Sequence, residues 1–597
     1  MKADDAIEGT ERMDRRSAPR RPTVWLALVG LVLVLPGCPA EPQPGGTTGA
    51  TGSVAPSASV GPGGKIDDWA YRPSDMQMEG AKASRPRAAA PAGVADSKIG
   101  LSAGGAKDVG NFRKNIENDF LPTTTDLTYE GLYYDYSFDT GQTQPCDKLF
   151  CPSYVQAQSK DPFSGENEYF LSVGLNSGIE EKDFARKKLN LIIVLDISGS
   201  MRSSFNQYYY DRFGNRHEVA PGEREKKSKM AVAADAIVAM IGHLKDHDRL
   251  GIALYDNRAY LAKPVSLLGR VDRGKLAGHI RDLSPQGGTN MSAGLKMGTE
   301  MLKTVAEKDP DQYESRIIFL TDAMPNRGET SDTGLLGISR QNADAGLYTT
   351  FIGIGVDFNT ALIERITKIR GANYYSVHSA KQFQKRLDEE FDFMVTPLVF
   401  DLTLKVEAEG YEIAAVYGSP EANQATGEIM KVNTLFPSKV EEGETRGGVI
   451  LLKLRKTSED AKLALSTAYR DRSGKQDGQR ATVQFPAREG DHYGNNGARK
   501  AVLLARYADV LHSWIADVRH AKAENKPVAP CLHKERPIVR PHYELGKWER
   551  QSVPLEVPPA YRALLGDFKA YFEQEAAAIG DAKLTREVEL LGRLIDR

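Results

Sequence analysis

Asp196, Ser198 and Ser200 stand at alternate positions where an apolar run ends, in the segment LIIVLDISGSM at residues 191–201. One carboxylate and two hydroxyls from a single short loop are hard oxygen donors carrying little negative charge. Such a set suits Mg²⁺, Mn²⁺ or Ca²⁺ rather than zinc. The run before them, Leu191 to Leu195, is continuous rather than alternating, as in a strand buried on both faces of a parallel sheet. Loops just beyond the carboxyl ends of such strands are where open α/β sheets bind ligands. A plainer reading fits the same residues, because Ser and Asp also follow strands as caps of the next helix. Donors on other loops decide between the two.

Two later segments supply them. SPQGGTNMSAGL places Thr289 after paired glycines at the start of a predicted helix, where crowding is relieved and the hydroxyl is free to face a neighbour. IIFLTDAMPN repeats the opening pattern, an apolar strand ending in Thr321 and Asp322. The candidate metal set is therefore Asp196, Ser198, Ser200, Thr289 and Asp322.

The elements that must position these residues alternate from 189 to 396. Strands are predicted at 250–255, 317–321, 348–356 and 373–377, after the first one ending at Asp196. Helices are predicted at 226–244, 273–283, 291–305, 333–345, 360–369 and 380–393. Met230, Ala234, Ile237, Ile241 and Leu244 make one apolar stripe on the first helix. Alternation of this kind gives an α/β, doubly wound, mostly parallel sheet with right-handed crossovers. From 397 to 487 short strand-like runs with Gly, Pro and Asp punctuation predict a β-sandwich. Residues 488–597 read as a helical C-terminal region, and 111–188 as a small aromatic-rich β-containing region.

Order, strand context and spacing of Asp-x-Ser-x-Ser, Thr289 in GGTN and Asp322 in LTDAMPN resemble a von Willebrand factor type A domain with a metal-ion-dependent adhesion site. The resemblance covers residues 189–396 and implies a Rossmann-like fold. It further implies direct ligation by Ser198, Ser200 and, in the ligand-competent state, Thr289, with Asp196 and Asp322 acting largely through water. Neutral hydroxyls around Mg²⁺ would leave its charge poorly neutralised, so an Asp or Glu carboxylate from a protein partner would complete it. Many relatives have Gly after the second Asp, where this chain has Ala323. A loop at 202–225, long for the family, carries Phe205, Tyr208, Tyr209, Tyr210 and Phe213. It is either packed on its own aromatics or a partner-reading surface, Tyr being favoured at interfaces.

The N-terminus carries a different signal. Arg12, Arg15, Arg16, Arg20 and Arg21 precede the apolar run Val24 to Leu35, too short to span a bilayer and suited to a secretory signal over residues 1–38. Its ending, LPGC, resembles a bacterial lipobox with Cys38 as the lipidated residue, though Pro36 departs from the usual pattern. Residues 39–110, dense in Gly, Pro, Ala, Ser and Thr, read as a disordered tether. This layout resembles bacterial exported proteins often labelled calcium-activated chloride channel homologues. That label implies no pore here, since no later run of about 18 apolar residues exists. The expected location is the bacterial cell envelope, on either membrane.

Cys146 and Cys151 are spaced to close a small disulfide loop in an exported protein, which leaves Cys531 without a role. With 78 basic against 80 acidic residues, the 597-residue chain has no electrostatic footprint for nucleic acid. The leading expectation is a binding module without enzymatic activity. Alternatives are a metal-dependent hydrolase and a scaffold whose metal is structural. The sequence has neither HExxH nor GxSxG at a strand-to-helix turn, and His217 in the inserted loop is the only nearby imidazole.

Overall fold

In the computed structural model, the described residues are 59–60, 64–73, 98–107, 109–117, 119–203, 208–210, 216–218, 227–322, 332–354, 365, 368–377, 390–407, 410–421, 429–458, 461–485, 490–524 and 553–597. The signal segment with Cys38, most of the tether, Phe205, Phe213, Ala323, Cys531 and most of the helices expected at 360–369 and 380–393 lie outside them, the described part of the second being the short helix Phe391–Met394.

Seven strands form one sheet in the order Ala259–Leu267, Arg249–Tyr255, Lys188–Asp196, Tyr313–Thr321, Leu347–Ile354, Asn373–Val377 and Gly105–Ala106. All neighbours pair in parallel except Ala259–Leu267, which closes one edge antiparallel to Arg249–Tyr255. On the central strand Leu189, Leu191, Ile193 and Leu195 enter one core, with Ile237 of the helix Lys229–His243 and Ile280 of Arg273–Arg281. Ile192 and Val194 enter the other, with Leu295 and Leu302 of Met291–Ala306 and Leu335 of Asp332–Asp344. Each face claims every second residue, so the strand is apolar from Leu191 to Leu195, and its buried Asn190 is hydrogen-bonded to Ser315 and Arg249. Burying each such side chain stabilises the fold by roughly 1.5–3 kcal/mol before entropy is counted.

The chain leaves the central strand for Arg249–Tyr255 on one side and later returns to Tyr313–Thr321 on the other. This reversal opens a crevice at the carboxyl ends of Lys188–Asp196 and Tyr313–Thr321. Asp196 and Asp322 stand at its two walls.

A ten-stranded antiparallel sheet forms the second body of structure. Its main path runs Tyr411–Tyr417, Val449–Lys456, Asn167–Glu180, Lys98–Ala103, Ile429–Ser438, Val399–Val406, Leu463–Asp471, Gln476–Val483. Cys151–Lys160 adds to Asn167–Glu180, and His492–Tyr493 adds to Cys151–Lys160. The strands enclose a single core that includes Leu101, Val173, Leu404, Val432, Leu452 and Leu465. This corrects the expected division at 111–188 and 397–487. The two segments share one sheet, in which Asn167–Glu180 and Lys98–Ala103, the latter from the expected tether, sit between two groups of strands from 397–487.

The tether reading of 39–110 needs a second correction. Within residues 64–73, Trp69 and Tyr71 are buried in the α/β core beside the helix Lys229–His243 and the sheet. Backbone bonds from Ala70 N–H to the Ala262 carbonyl at 2.7 Å and from Asp272 N–H to the Ile66 carbonyl at 2.9 Å tie this strap down. Asp68 pairs with the fully buried ammonium of Lys263 at 3.1 Å. Overall Gly/Pro-rich composition concealed a few large anchors, and those anchors suffice to order a short segment.

The C-terminal helices are built around Asn496–Glu524, whose Leu511, Trp514 and Ile515 share a core with Pro559–Ile579, Thr585–Ile595 and the helices Gly110–Glu117 and Tyr129–Tyr134. Cys146 and Cys151 are joined by a disulfide. Among the described residues, no helix is long and apolar enough to cross a membrane.

Candidate metal centre

The site is assembled from three loops that the sheet brings to one crevice. After Lys188–Asp196 the chain turns immediately into a short 3-10 segment, Gly199–Arg202. Asp196 Oδ1 accepts from Ser198 N–H at 2.8 Å, which bends the loop back over its own strand end. Ser198 Oγ and Ser200 Oγ lie 2.9 Å apart, and the Ser200 hydroxyl donates to Asp322 Oδ1 at 2.8 Å. Carboxylate and hydroxyls from loops 122 residues apart thus meet in one continuous chain of hydrogen bonds.

Thr289 arrives on the second loop and is buried. That loop is fastened to the serine loop by Gly199 N–H donating to the Gly287 carbonyl at 3.1 Å, Gln286 N–H to the Ile197 carbonyl, and the Arg202 guanidinium to the Pro285 carbonyl at 2.8 Å. Gly287 has φ +69, and a Cβ there would meet side-chain atoms of Asp256 and Asn257 at 2.9 Å. Only glycine satisfies both the turn and the contact. Asn290 then caps the helix Met291–Ala306, its side chain accepting from Ala293 N–H at 3.1 Å. Gly294, one turn in, lies against the Tyr255 ring, so the helix approaches the sheet closely enough to fix the loop.

Three residues outside the candidate metal set complete the arrangement. Tyr255 is in register with Asp196 on the neighbouring strand, and its hydroxyl donates to Asp196 Oδ2 at 3.1 Å. The Thr321 hydroxyl donates to the same oxygen at 3.0 Å. Lys229 Nζ donates to Asp322 Oδ2 at 3.0 Å, with the lysine side chain 1 % exposed and the aspartate 0 %. For Tyr255 and Thr321 the available signal was a polar residue at the carboxyl end of an apolar strand. Lys229 gave none, because the inserted loop separates it from Ser200.

Electrostatics mark the crevice as unfinished. Burial, and then the neighbouring Asp322 carboxylate, push Asp196 up to about 7, against the hydrogen bonds from Ser198 and Thr321. Among the described residues, two fully buried carboxylates here share one buried ammonium. The Ser198 and Ser200 hydroxyls lie 2.9 Å apart beside them. A hard divalent cation fits this donor set, held among Ser198, Ser200, Thr289, Asp196 and Asp322. No three His, Cys, Asp or Glu side chains group together among the described residues, so a centre here depends on hydroxyls.

In the inserted loop, Tyr208–Tyr210 pairs antiparallel with Arg216–Glu218, the strand that contains His217. This short hairpin follows the 3-10 segment of the site in the chain.

A doubly wound sheet with Asp-x-Ser-x-Ser, Thr and Asp on three loops at its switch point defines a class, the von Willebrand factor type A domain. Residues 191–325 match the family model described as von Willebrand factor type A domain, and the chain carries such a domain there. Domains of this class are protein–protein interaction modules. The chain is 25% identical over 350 residues to inter-alpha-trypsin inhibitor heavy chain H1 of Homo sapiens, covering 57% of this chain and 32% of that protein. It is 22% identical over 219 residues to the YfbK protein of Escherichia coli, covering 36% of this chain and 33% of that one. The chain therefore spans about a third of the length of these relatives. A solved von Willebrand factor type A structure from Catenulispora acidiphila aligns with 64% of this chain and 84% of its own, at 15% identity and a TM-score of 0.39.

Proposed function

We propose that the protein is a membrane-anchored binding module of the bacterial cell envelope, which captures an acidic group of a protein partner through a divalent cation. The observation that carries this reading is the run of hydrogen bonds that links Asp196 to Ser198 N–H, Ser198 Oγ to Ser200 Oγ, and Ser200 Oγ to Asp322 at the switch point of the sheet. Bound Mg²⁺, or Mn²⁺ or Ca²⁺, would supply a Lewis-acidic position for a carboxylate. Ser198, Ser200 and Thr289 would hold the cation as neutral donors, and Asp196 and Asp322 would balance part of its charge. Tyr255, Thr321 and Lys229 orient the two carboxylates from behind.

The inserted hairpin 208–218 follows the site loop, and we assign Phe205, Tyr208, Tyr209 and Tyr210 to partner reading. Cys38 would carry the lipid that holds the protein at the membrane. The disulfide Cys146–Cys151 supports an oxidising compartment. The protein acts by binding, not by turnover.

Crosslinking in intact cells, with and without a chelator, tests the reading. A partner crosslinked to the wild type, released by EDTA and absent from Asp196→Ala, is the expected result. A partner retained equally in all three conditions contradicts it. For the anchor, Cys38→Ser should move the protein from the membrane fraction to the soluble one.

A further inference from the structure

Lys229 is the first residue of the helix Lys229–His243, and a cation gains nothing there from the helix itself, whose N-terminal end is partially positive. Yet the side chain is buried, and its ammonium lies on Asp322 Oδ2 at 3.0 Å. Its place is fixed by the backbone: Lys229 N–H donates to the Ser203 carbonyl at 2.9 Å, and Ser228 caps the helix by accepting from Ala231 N–H at 3.1 Å. A buried pair of this kind contributes little net stability, because removing two charges from water offsets most of their attraction. What the lysine changes is the charge of the site.

Asp196 and Asp322 supply two negative charges and Lys229 one positive. A divalent cation held by this set keeps a net charge of about plus one, which a partner's carboxylate would cancel. Without the ammonium the same cation would already be neutralised, and an incoming carboxylate would bring an uncompensated negative charge into a buried place. We infer that Lys229 is a positioning and specificity-determining residue, which weakens the hold on the cation and strengthens the demand for a carboxylate ligand. This inference rests on the metal-dependent reading above.

Opposite shifts of two affinities test it, and a purely structural role would not produce them. Mn²⁺ is titrated into the full chain, and acetate is then added as the carboxylate probe, read by the loss of water-proton relaxation at the bound Mn²⁺. Lys229→Gln keeps a donor for Asp322 and removes the charge; Lys229→Met serves the same purpose if that variant does not fold by circular dichroism. Either should bind Mn²⁺ about tenfold more tightly and need about tenfold more acetate for the same loss of relaxation. Lys229→Arg, which keeps the charge, should hold both quantities within about threefold of the wild type. Mn²⁺ and acetate affinities unchanged in the neutral variants, or both weakened together, overturn the role of Lys229 while leaving the metal site standing. Absence of Mn²⁺ binding in the wild type and in every variant overturns both readings.

Discussion

Among the described residues, two of the buried polar clusters hold their fully buried carboxylates in opposite electrostatic settings. In the C-terminal helices, Glu587 is 0 % exposed and meets Arg113 at 2.8 Å, with Tyr136 and Tyr507 donating at 2.8 and 2.7 Å. Burial alone would raise its pKa, but Arg113, then Arg586 and the two phenols, hold it below the usual carboxylate range. At the crevice of the α/β sheet, Asp196 is buried as deeply. There burial and Asp322 prevail over the neighbouring hydroxyls, and Asp196 rises to about 7. One cluster is electrostatically closed and holds helices together. Among the described residues the other sets one ammonium, Lys229, beside two buried carboxylates, as suits a site that takes a cation.

The sharpest way to break this contrast is to open the closed cluster. Glu587→Ala leaves Arg113 with Asp135 at 2.6 Å and strips the Tyr136 and Tyr507 hydroxyls of their acceptor, so it should destabilise the chain by about 3 kcal/mol, read as a large drop in melting temperature. Mn²⁺ affinity of whatever remains folded should not change. The reverse holds for Asp196→Asn. It removes a like charge from a buried pair, so the melting temperature in EDTA should stay level or rise, while Mn²⁺ affinity falls roughly 10- to 100-fold. A stability loss in Asp196→Asn comparable to that in Glu587→Ala would erase the distinction.

The pH dependence has opposite signs in the two places. Glu587 is lowered in the folded state, so its contribution is present above its unfolded value of 4.5 and is lost as pH falls through the folded value. Asp196 is raised, so its contribution is present below 3.8 and is lost as pH rises towards about 7. In EDTA the α/β domain should therefore lose stability between pH 4 and 7, by about 1 kcal/mol per pH unit, and saturating Mg²⁺ should abolish the loss. Thermal denaturation across that range, with and without metal, checks both signs. The smallest effect is expected from Tyr255→Phe, which removes one donor to Asp196 and should cost about 1 kcal/mol with a modest loss of metal affinity.

The two clusters also differ in how far the sequence announces them. Asp196, Ser198 and Ser200 were legible because they are adjacent in the chain and follow an apolar run of strand length. Thr289 and Asp322 were legible because each ends or begins a periodic element in the same domain. Tyr255 reaches Asp196 by parallel register, and Lys229 reaches Asp322 from a helix beyond an inserted loop; neither relation leaves a local trace. Glu587 and Arg113 are separated by 474 residues, and nothing about either one announces the other.

The same limit explains the strand assignments. The parallel core of the α/β domain was readable because apolar strands alternate with helices along it, whereas the edge strand Ala259–Leu267, which follows Arg249–Tyr255 with no helix between, was missed. The sandwich was misdivided because Lys98–Ala103 pairs with Ile429–Ser438, and Asn167–Glu180 with Val449–Lys456, across the whole α/β domain. Strand-like runs announce that they will pair, but not with which partner. Trp69 and Tyr71 were hidden for a further reason, since a composition averaged over 39–110 dilutes two anchors that act locally.

Calorimetric titration of Mn²⁺ into the metal-free full chain bears most directly on the claim that the crevice is a cation site. The account predicts one bound ion per chain and a loss of that binding in Asp196→Ala at an unchanged fold. No binding to the folded wild type, or binding that survives Asp196→Ala undiminished, would contradict it.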